Sequence, residues 1–375
     1  MGDAYRSAVE LLVCNEGALD AILGHGRFGQ SVEVGLAGVP DVQVRWCSPP
    51  PMSRGTRAAV RAVPPLYSWS LDLQPTRWHV AQSLRLRRAI ARALATAPAD
   101  VLLAHTHSSG LALGRRAHTI PVILSVDSAI WPVQSMEYWQ PVRPWTKAML
   151  GPSRLLERRA LERATKVLAW TEWAAAGARE VAPRAEVEVW HPGLDLERFH
   201  PGPRQDGDRL RVLFVGARFS GKGGDDLLAA LGERLGRDVV LDVVTQEPVA
   251  PRDGVRPHRL GPDDPELRDL LRRADVFCLP SRADAAPFAV LEAMASATPV
   301  VSTRVGGIPD LVGPAGVLVP PRDPTSLRTA LDGLLTDDAR RTTLGAAARA
   351  RVEERYDARV NGARLASIMR SAIRR

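Results

Sequence analysis

The sequence predicts an α/β chain of two domains, each organised on a parallel sheet. Three observations carry this. Short apolar runs alternate with stretches of good helix formers, and a complete strand–loop–helix–strand unit lies between Ala274 and Val312. There Val276–Leu279 reads as a buried strand, "FAVLEAMAS" as a helix and "PVVST" as the next strand, followed by Gly306 and Gly307. The length of 375 residues is enough for two cores. Between them His200–Asp208, "HPGPRQDGD", has the Pro, Gly and charge content of a linker.

The elements follow in order. Val9–Cys14 reads as the first buried strand. Gly17, Gly24, Gly26 and Gly29 come next, where backbone can approach a ligand closely, and "GHGRFGQS" enters a helix. "DVQVRW" alternates as a second strand, Ser48–Pro75 reads as a surface excursion, and Trp78–Ala95 as a basic helix. Two buried strands end in polar residues, Ala99–His107 and "PVILSVDSA". Ligands of open α/β sheets bind at the carboxyl ends of strands, which marks His105, His107, Asp127 and Ser128. Asp127 is a candidate for contacting a sugar or orienting a hydroxyl; the plain alternative is a cap on the following segment. "ATKVLAWTEWAAAGARE" is strand then helix, with Thr171 as the N-cap. In the second half, the strand Arg211–Val215 ends at Gly216 and leads through Arg218, Lys222, Gly223 and Gly224 to a helix. "VVLDVVT" is a strand, Thr325–Ala350 two helices, and Tyr356–Arg375 a last helix.

Composition narrows the class. Apolar content is ordinary, so a packed globular chain is expected. Cys14, Cys47 and Cys278 are too few and too scattered for a disulfide framework or a metal pattern, and fit a reducing, cytoplasmic setting. No signal-peptide run and no bilayer-length apolar run is present in the sequence. The net charge is +8, and Arg143–Lys166 carries seven basic and two acidic residues. Arg77–Arg92 adds five arginines and no acid. Such faces suit phosphate groups or the inner face of an anionic membrane, or are simply solvated helix faces. No nucleic-acid motif accompanies them. All nine tryptophans precede residue 200, so the halves differ in chemistry. Most are expected in packing, one or two at a site.

Two cations in a glycine-rich turn at a strand's end suit a diphosphate. Arg218 and Lys222 have that placement, without the Gly-Lys-Ser/Thr of a Walker A loop. Farther on, Asp284 lies in a loop that feeds a helix N-terminus, where amides and the macrodipole favour anions. Glu292 stands on that helix, and read alone could be an exposed helix residue.

Asp284, seven intervening residues and Glu292, followed by "AMASATPVV", resemble the signature of retaining glycosyltransferases of family 4, which have the GT-B fold. Asp284 replaces the usual Glu, one methylene longer, and Ala297 stands where Gly is common. "VGARFSGKGG" is similar to the family's "VGR…KG", with a different spacing between the cations, and "HPGLDLERFHP" to its "PNGVD..RF.P". The resemblance is strong from Leu210 to Leu318 and looser before it. It implies GT-B architecture, two Rossmann-like domains facing a central cleft. Residues 1–200 would bind the acceptor and 209–355 the nucleotide sugar, with 356–375 a helix packing back on the first domain.

The resemblance also implies roles. Arg218, Lys222 and Gly223, with amides near Phe288, Ala289 and Val290, would hold the donor diphosphate. Glu292 would bind ribose, Asp284 sugar hydroxyls, and His258, Arg259 and Leu260 would pass beside the base. Gly24, His25 and Gly26 match the "GH" of a loop at the cleft and, with His107 and Ser128, would serve the acceptor. Asp284, Glu292 and Asp127 form the catalytic set. The implied reaction moves a sugar from a UDP-, GDP-, dTDP- or ADP-linked donor to a carbohydrate, lipid or small-molecule acceptor, by same-face substitution. The resemblance implies that no cofactor or metal is needed. A non-catalytic nucleotide-sugar binder and a same-fold phosphorylase or epimerase remain as alternatives.

Overall fold

The structure is a computed structural model. It describes residues 8–15, 24–105, 119–138, 140–203 and 208–374, with the side chains of Gly24 and His25 left aside. Contacts separate two units, one built from β1 and His25–Pro192 and closed by the last helix, the other from Gly193–Asp357.

The first unit begins with β1 (Val9–Cys14), α1 (Gly24–Ala37) and β2 (Val42–Cys47). Two short helices follow, α2 (Arg54–Ala59) and α3 (Pro64–Ser68), then the long α4 (Gln74–Thr96). The Ser48–Pro75 excursion is thus partly helical. Ser53 Oγ accepts from Thr56 N at 3.1 Å to start α2, and Pro64 and Pro65 fill the first turn of α3, where no amide is needed. β3 (Val101–His105), β4 (Val122–Val126), α5 (Ile130–Gln134), α6 (Thr146–Met149), α7 (Gly151–Arg163), β5 (Lys166–Ala169), α8 (Glu172–Val181) and β6 (Val187–Val189) complete the chain run. Thr171 caps α8, its side chain accepting from Ala174 N. The parallel sheet has the order β2-β1-β3-β4-β5-β6. β3 and β4 are buried throughout, which explains their largely apolar sequences.

The second unit holds β7 (Leu210–Val215), α9 (Gly224–Leu231), β8 (Val239–Val244), β9 (Val255–His258), α10 (Pro265–Arg273) and β10 (Val276–Leu279). It continues with α11 (Phe288–Ala295), β11 (Val300–Thr303), α12 (Ile308–Val312), β12 (Val317–Val319), α13 (Pro324–Leu335) and α14 (Asp338–Arg355). Its parallel sheet runs β12-β11-β10-β7-β8-β9. This is the doubly wound order in which winding reverses between the first and fourth strands of the unit.

The last helix, α15 (Ala358–Ile373), belongs to the first unit. Trp190 Nε1 donates to Asn361 O at 2.9 Å, and Arg364 pairs with Glu188 at 2.9 Å. Gly193 onward goes with the second unit, where Leu194 N donates to Tyr356 O at 2.7 Å and Arg349 donates to Phe199 O at 2.9 Å. The change of unit therefore precedes the linker composition at His200–Asp208. Among the described residues no helix is long and apolar enough to cross a membrane.

The helical layer over the first sheet is partly polar inside. On α4 the buried positions His79, Gln82 and Ser83 precede the apolar Leu86 and Ile90. Thr76 and Ser153 hydroxyls meet at 2.6 Å between α4 and α7. Burial pushes the His79 imidazole down to about 4, so it is neutral at pH 7. Glu157 of α7 is fully buried, and that burial pushes its carboxyl up to about 8 despite opposing contributions from the Ile130 amide and Arg154.

Candidate functional site

The switch point of the second sheet lies between β7 and β10, and ligands of such sheets bind at the carboxyl ends of the two strands there. The turn Gly216–Gly223 leaves β7, and the loop Pro280–Pro287 leaves β10. The two are fitted to each other by glycines. Gly223 has φ +80°, and a Cβ there would stand 2.0 Å from Pro280 O. Gly306, after β11, has φ +54°, and a Cβ there would stand 1.8 Å from Asp284 O. Only glycine meets both demands, left-handed backbone and no side chain. Gly307 N donates to Ala285 O at 2.7 Å and Thr303 Oγ1 to Ser281 O at 2.6 Å, so the loop is held on its backbone.

Within this frame Lys222 Nζ meets Asp284 Oδ2 at 2.6 Å, and Ser281 Oγ donates to the same oxygen at 3.0 Å. The Lys222 and Asp284 side chains are 16% and 9% exposed, so the pair is largely shielded from water. Both bonds fall on Oδ2, and Oδ1 takes neither. Lys222 is therefore not a bare cation in this turn: its charge is already shared with the acid. Arg282 grips Asp226 of α9 through two bonds of 2.9 and 2.7 Å, a second tie between the loop and the next element.

Arg218 is exposed on the same turn, and its carbonyl accepts from Lys222 N at 3.1 Å. Glu247 Oε2 accepts from Phe219 N at 2.7 Å and Ser220 N at 3.4 Å. A carboxylate thus fixes the turn that the sequence furnishes with cations. At the start of α11, Val290 N is spent on Pro287 O at 3.1 Å, which takes one of the three expected anion donors. Glu292 is only 4% exposed, which excludes the reading of an exposed helix residue.

His258 closes β9 beside the end of β8, with Thr245 N donating to its carbonyl at 3.1 Å. Its ring is committed to carboxylates, Nε2 at 2.9 Å from Asp242 and Nδ1 at 3.3 Å from Glu266. Leu260 O accepts from Gln246 Nε2 at 3.2 Å, while Arg259 is exposed. The segment expected beside the base accordingly runs along the carboxyl edge of the sheet, with the His258 side chain turned to protein partners.

In the first unit Asp127 and Ser128 follow β4, and Ser128 Oγ donates to Asp127 Oδ1 at 3.1 Å. Asp127 does not cap α5. Glu157 does, accepting from Ile130 N at 2.8 Å. His105 is buried, its ring stacked on Phe28 and Trp170 at 4.2 and 4.9 Å, so it packs. Gly24–Gly26 are the first turn of α1 rather than a loop before it. His107, Trp139 and the His25 side chain lie outside the described parts.

Sequence reasoning missed Ser281, Glu247 and the Arg282–Asp226 pair in the second unit, and Glu157 as the cap of α5 in the first. Ser281 was visible only as a turn residue. Glu247 lies more than twenty residues from the turn it holds, and nothing local marks it.

Family models match both units. Residues 40–198 match Glycosyltransferase Family 4, and residues 209–337 match Glycosyl transferases group 1. The chain belongs to glycosyltransferase family 4. Among its family relatives, a D-inositol 3-phosphate glycosyltransferase of Kribbella flavida is 34% identical over 233 residues, 52% of this chain and 54% of that protein. A GDP-mannose-dependent alpha-(1-6)-phosphatidylinositol monomannoside mannosyltransferase of Mycolicibacterium smegmatis is 33% identical over 217 residues, 50% of this chain and 57% of that protein. The chain spans about half the length of the curated relatives it matches. Among solved structures, sucrose-phosphate synthase from Thermosynechococcus elongatus superposes with a TM-score of 0.74 at 19% identity, covering 96% of this chain and 98% of that one. HepE from Anabaena, solved with UDP and glucose, gives 0.67 at 16%, covering 97% and 100%. At such identities these two show the fold, GT-B. The family's Asp/Glu-x7-Glu signature falls on the glycine-fitted loop and α11.

Proposed function

We propose that this glycosyltransferase family 4 chain moves a sugar from a nucleotide-diphosphate sugar to an acceptor hydroxyl, with retention at the anomeric carbon and without a metal. The observation that carries the reading is the Ser281–Asp284–Lys222 cluster at the switch point of the second sheet. It joins a cation suited to a phosphate with a carboxylate suited to sugar hydroxyls in one hydrogen-bonded unit. Lys222, with Arg218 and the first-turn amides of α11, neutralises the charge that grows on the leaving diphosphate. Asp284 Oδ1 accepts from a hydroxyl of the transferred sugar, and Glu292 from the ribose. Asp127 and Ser128 are assigned to the acceptor. The names of the relatives, which act on D-inositol 3-phosphate or a phosphatidylinositol mannoside, favour an acceptor that carries phosphate, and the arginine-rich first unit suits one.

The test is a thermal-shift panel of UDP, GDP, dTDP and ADP with their sugars, with and without EDTA. One nucleotide series should raise the melting temperature by mass action in both conditions. No shift with any of them would move the non-catalytic reading to the front. A shift that EDTA abolishes would overturn metal independence. Asp284→Asn then separates the two halves of the cluster. It frees Lys222 from its acid, so the nucleoside diphosphate should bind as well or better, while the matching nucleotide sugar binds at least tenfold more weakly. Equal losses for both ligands would refute the division of labour.

A further inference from the structure

Among the described residues, six of the eleven exposed large apolar side chains lie between Val63 and Trp78 of the first unit. Val63, Leu66, Trp69, Leu71, Leu73 and Trp78 run from the cap of α3 through that helix and the segment after it to the start of α4, with Trp69 57% exposed. This segment is built, not frayed. Asp72 is buried beneath it, accepting from Val63 N at 2.7 Å and Gln74 N at 2.9 Å and pairing with Arg77 at 2.9 Å. Trp145 Nε1 donates to Trp69 O at 2.8 Å, and the Arg143 guanidinium lies 5.4 Å from the Trp69 ring. Protein contacts thus hold the exposed indole in place.

The same stretch is one-signed. Between residues 51 and 92 there are eight arginines and a single acid, and that acid is the buried Asp72. Arg54, Arg57 and Arg61 are exposed on and just after α2, directly before the apolar segment. We propose that α2, α3 and the first turns of α4 form a face that docks on an anionic lipid bilayer. Indoles and leucines enter the headgroup region while the arginines meet lipid phosphates. The charge decides between occupants. A second copy in a two-fold contact would set these arginines against themselves. A nucleic acid would take the arginines but leave the leucines and valine without a partner. The inference stands apart from the proposed transfer reaction, since none of these residues belongs to the nucleotide-sugar site.

The experiment is co-sedimentation of the full chain with vesicles of phosphatidylcholine alone and of phosphatidylcholine with 30% phosphatidylglycerol. Binding should require the anionic lipid and weaken with salt. Replacing Arg54, Arg57 and Arg61 together by serine should weaken it by about a hundredfold, at roughly fivefold per charge. Trp69→Ala should weaken it by about tenfold, and Leu66→Ser serves as a second apolar variant. All these side chains are exposed, and an unchanged circular dichroism melt confirms that the variants fold. Equal binding to neutral and anionic vesicles, no binding to either, or variants that bind like the wild type would each overturn the proposal. Concentration-dependent dimers in sedimentation velocity that Trp69→Ala abolishes, with no vesicle binding, would assign the face to self-association instead.

Discussion

In the second unit the cations near the switch point are matched to acids: Lys222 to Asp284 and Arg282 to Asp226. Between residues 51 and 92 of the first unit, eight arginines share the one acid Asp72. The two sheets are alike in kind, parallel and doubly wound, so the difference lies in what is laid on them. The second unit spends its charge inward, on a rigid pair that can hold one ligand. The first keeps its titratable anomalies, His79 and Glu157, inside and its arginines and indoles outside. A matched pair gives precision at one place, whereas unmatched charge gives attraction over a surface.

The comparison can be broken most severely at Gly306. Gly306→Ala would drive a Cβ into Asp284 O at a positive φ, at a cost of about 4 kcal/mol to the second unit. Hydrogen exchange in β7 and β10 should report the loss. Tryptophan fluorescence should not, because all nine tryptophans lie between Trp46 and Trp190 and so report the first unit. Loss of fluorescence stability in this variant would mean that the units do not respond separately.

Lys222→Ala comes next. It leaves Asp284 a largely buried carboxylate with Ser281 as its remaining donor, at a cost of about 3 kcal/mol. Lys222→Ala with Asp284→Asn should recover much of that, since the orphan charge is gone. A double variant no more stable than the single one would show that the pair is not coupled.

The first unit should differ in its response to pH. Glu157 has a folded value raised to about 8 from 4.5, so the folded state holds a proton that the unfolded state releases. Its contribution is complete below the unfolded value and is lost as pH rises through about 8. His79 is lowered to about 4 from 6.5, so its contribution is present above the unfolded value and lost as pH falls toward 4. The two slopes oppose each other in the acid range, and between about 6.5 and 8 the Glu157 slope stands alone. Denaturation followed by tryptophan fluorescence should show stability falling across that interval, and Glu157→Gln should flatten it. An unchanged slope would remove Glu157 from the account.

The smallest expected effect is at Arg282→Ala. The pair with Asp226 is bidentate, but the arginine is one-third exposed, so about 1 kcal/mol is at stake. Nucleotide affinity should change little. A loss as large as that from Lys222→Ala would mean that the loop depends on this tie as much as on the central pair.

What could be read from the sequence depended on how local the cause was. Central strands such as β1, β8 and β10 are largely apolar because both faces of a parallel sheet are covered, and that demand is written along each strand. Thr171 caps its helix, as its type and place imply. The loop reading of Gly24–Gly26 failed because glycine signals permission, not use, and here the backbone takes the first turn of α1. Asp127 was open to a capping role, but Glu157, on a later helix, took it.

By itself the sequence determined the parallel α/β class, the family signature and which residue types stand at the strand ends, since each follows from periodicity or from spacing along one segment. Only the tertiary structure decided that Lys222 and Asp284 are one unit, that Ser281 and Glu247 hold the turns, and that Glu292 is buried. The Lys222–Asp284 and Glu247–Phe219 contacts join residues of separate βα units. They rest on side-chain geometry and on Gly223 and Gly306 meeting carbonyls of another loop, and spacing along the chain encodes none of that distance.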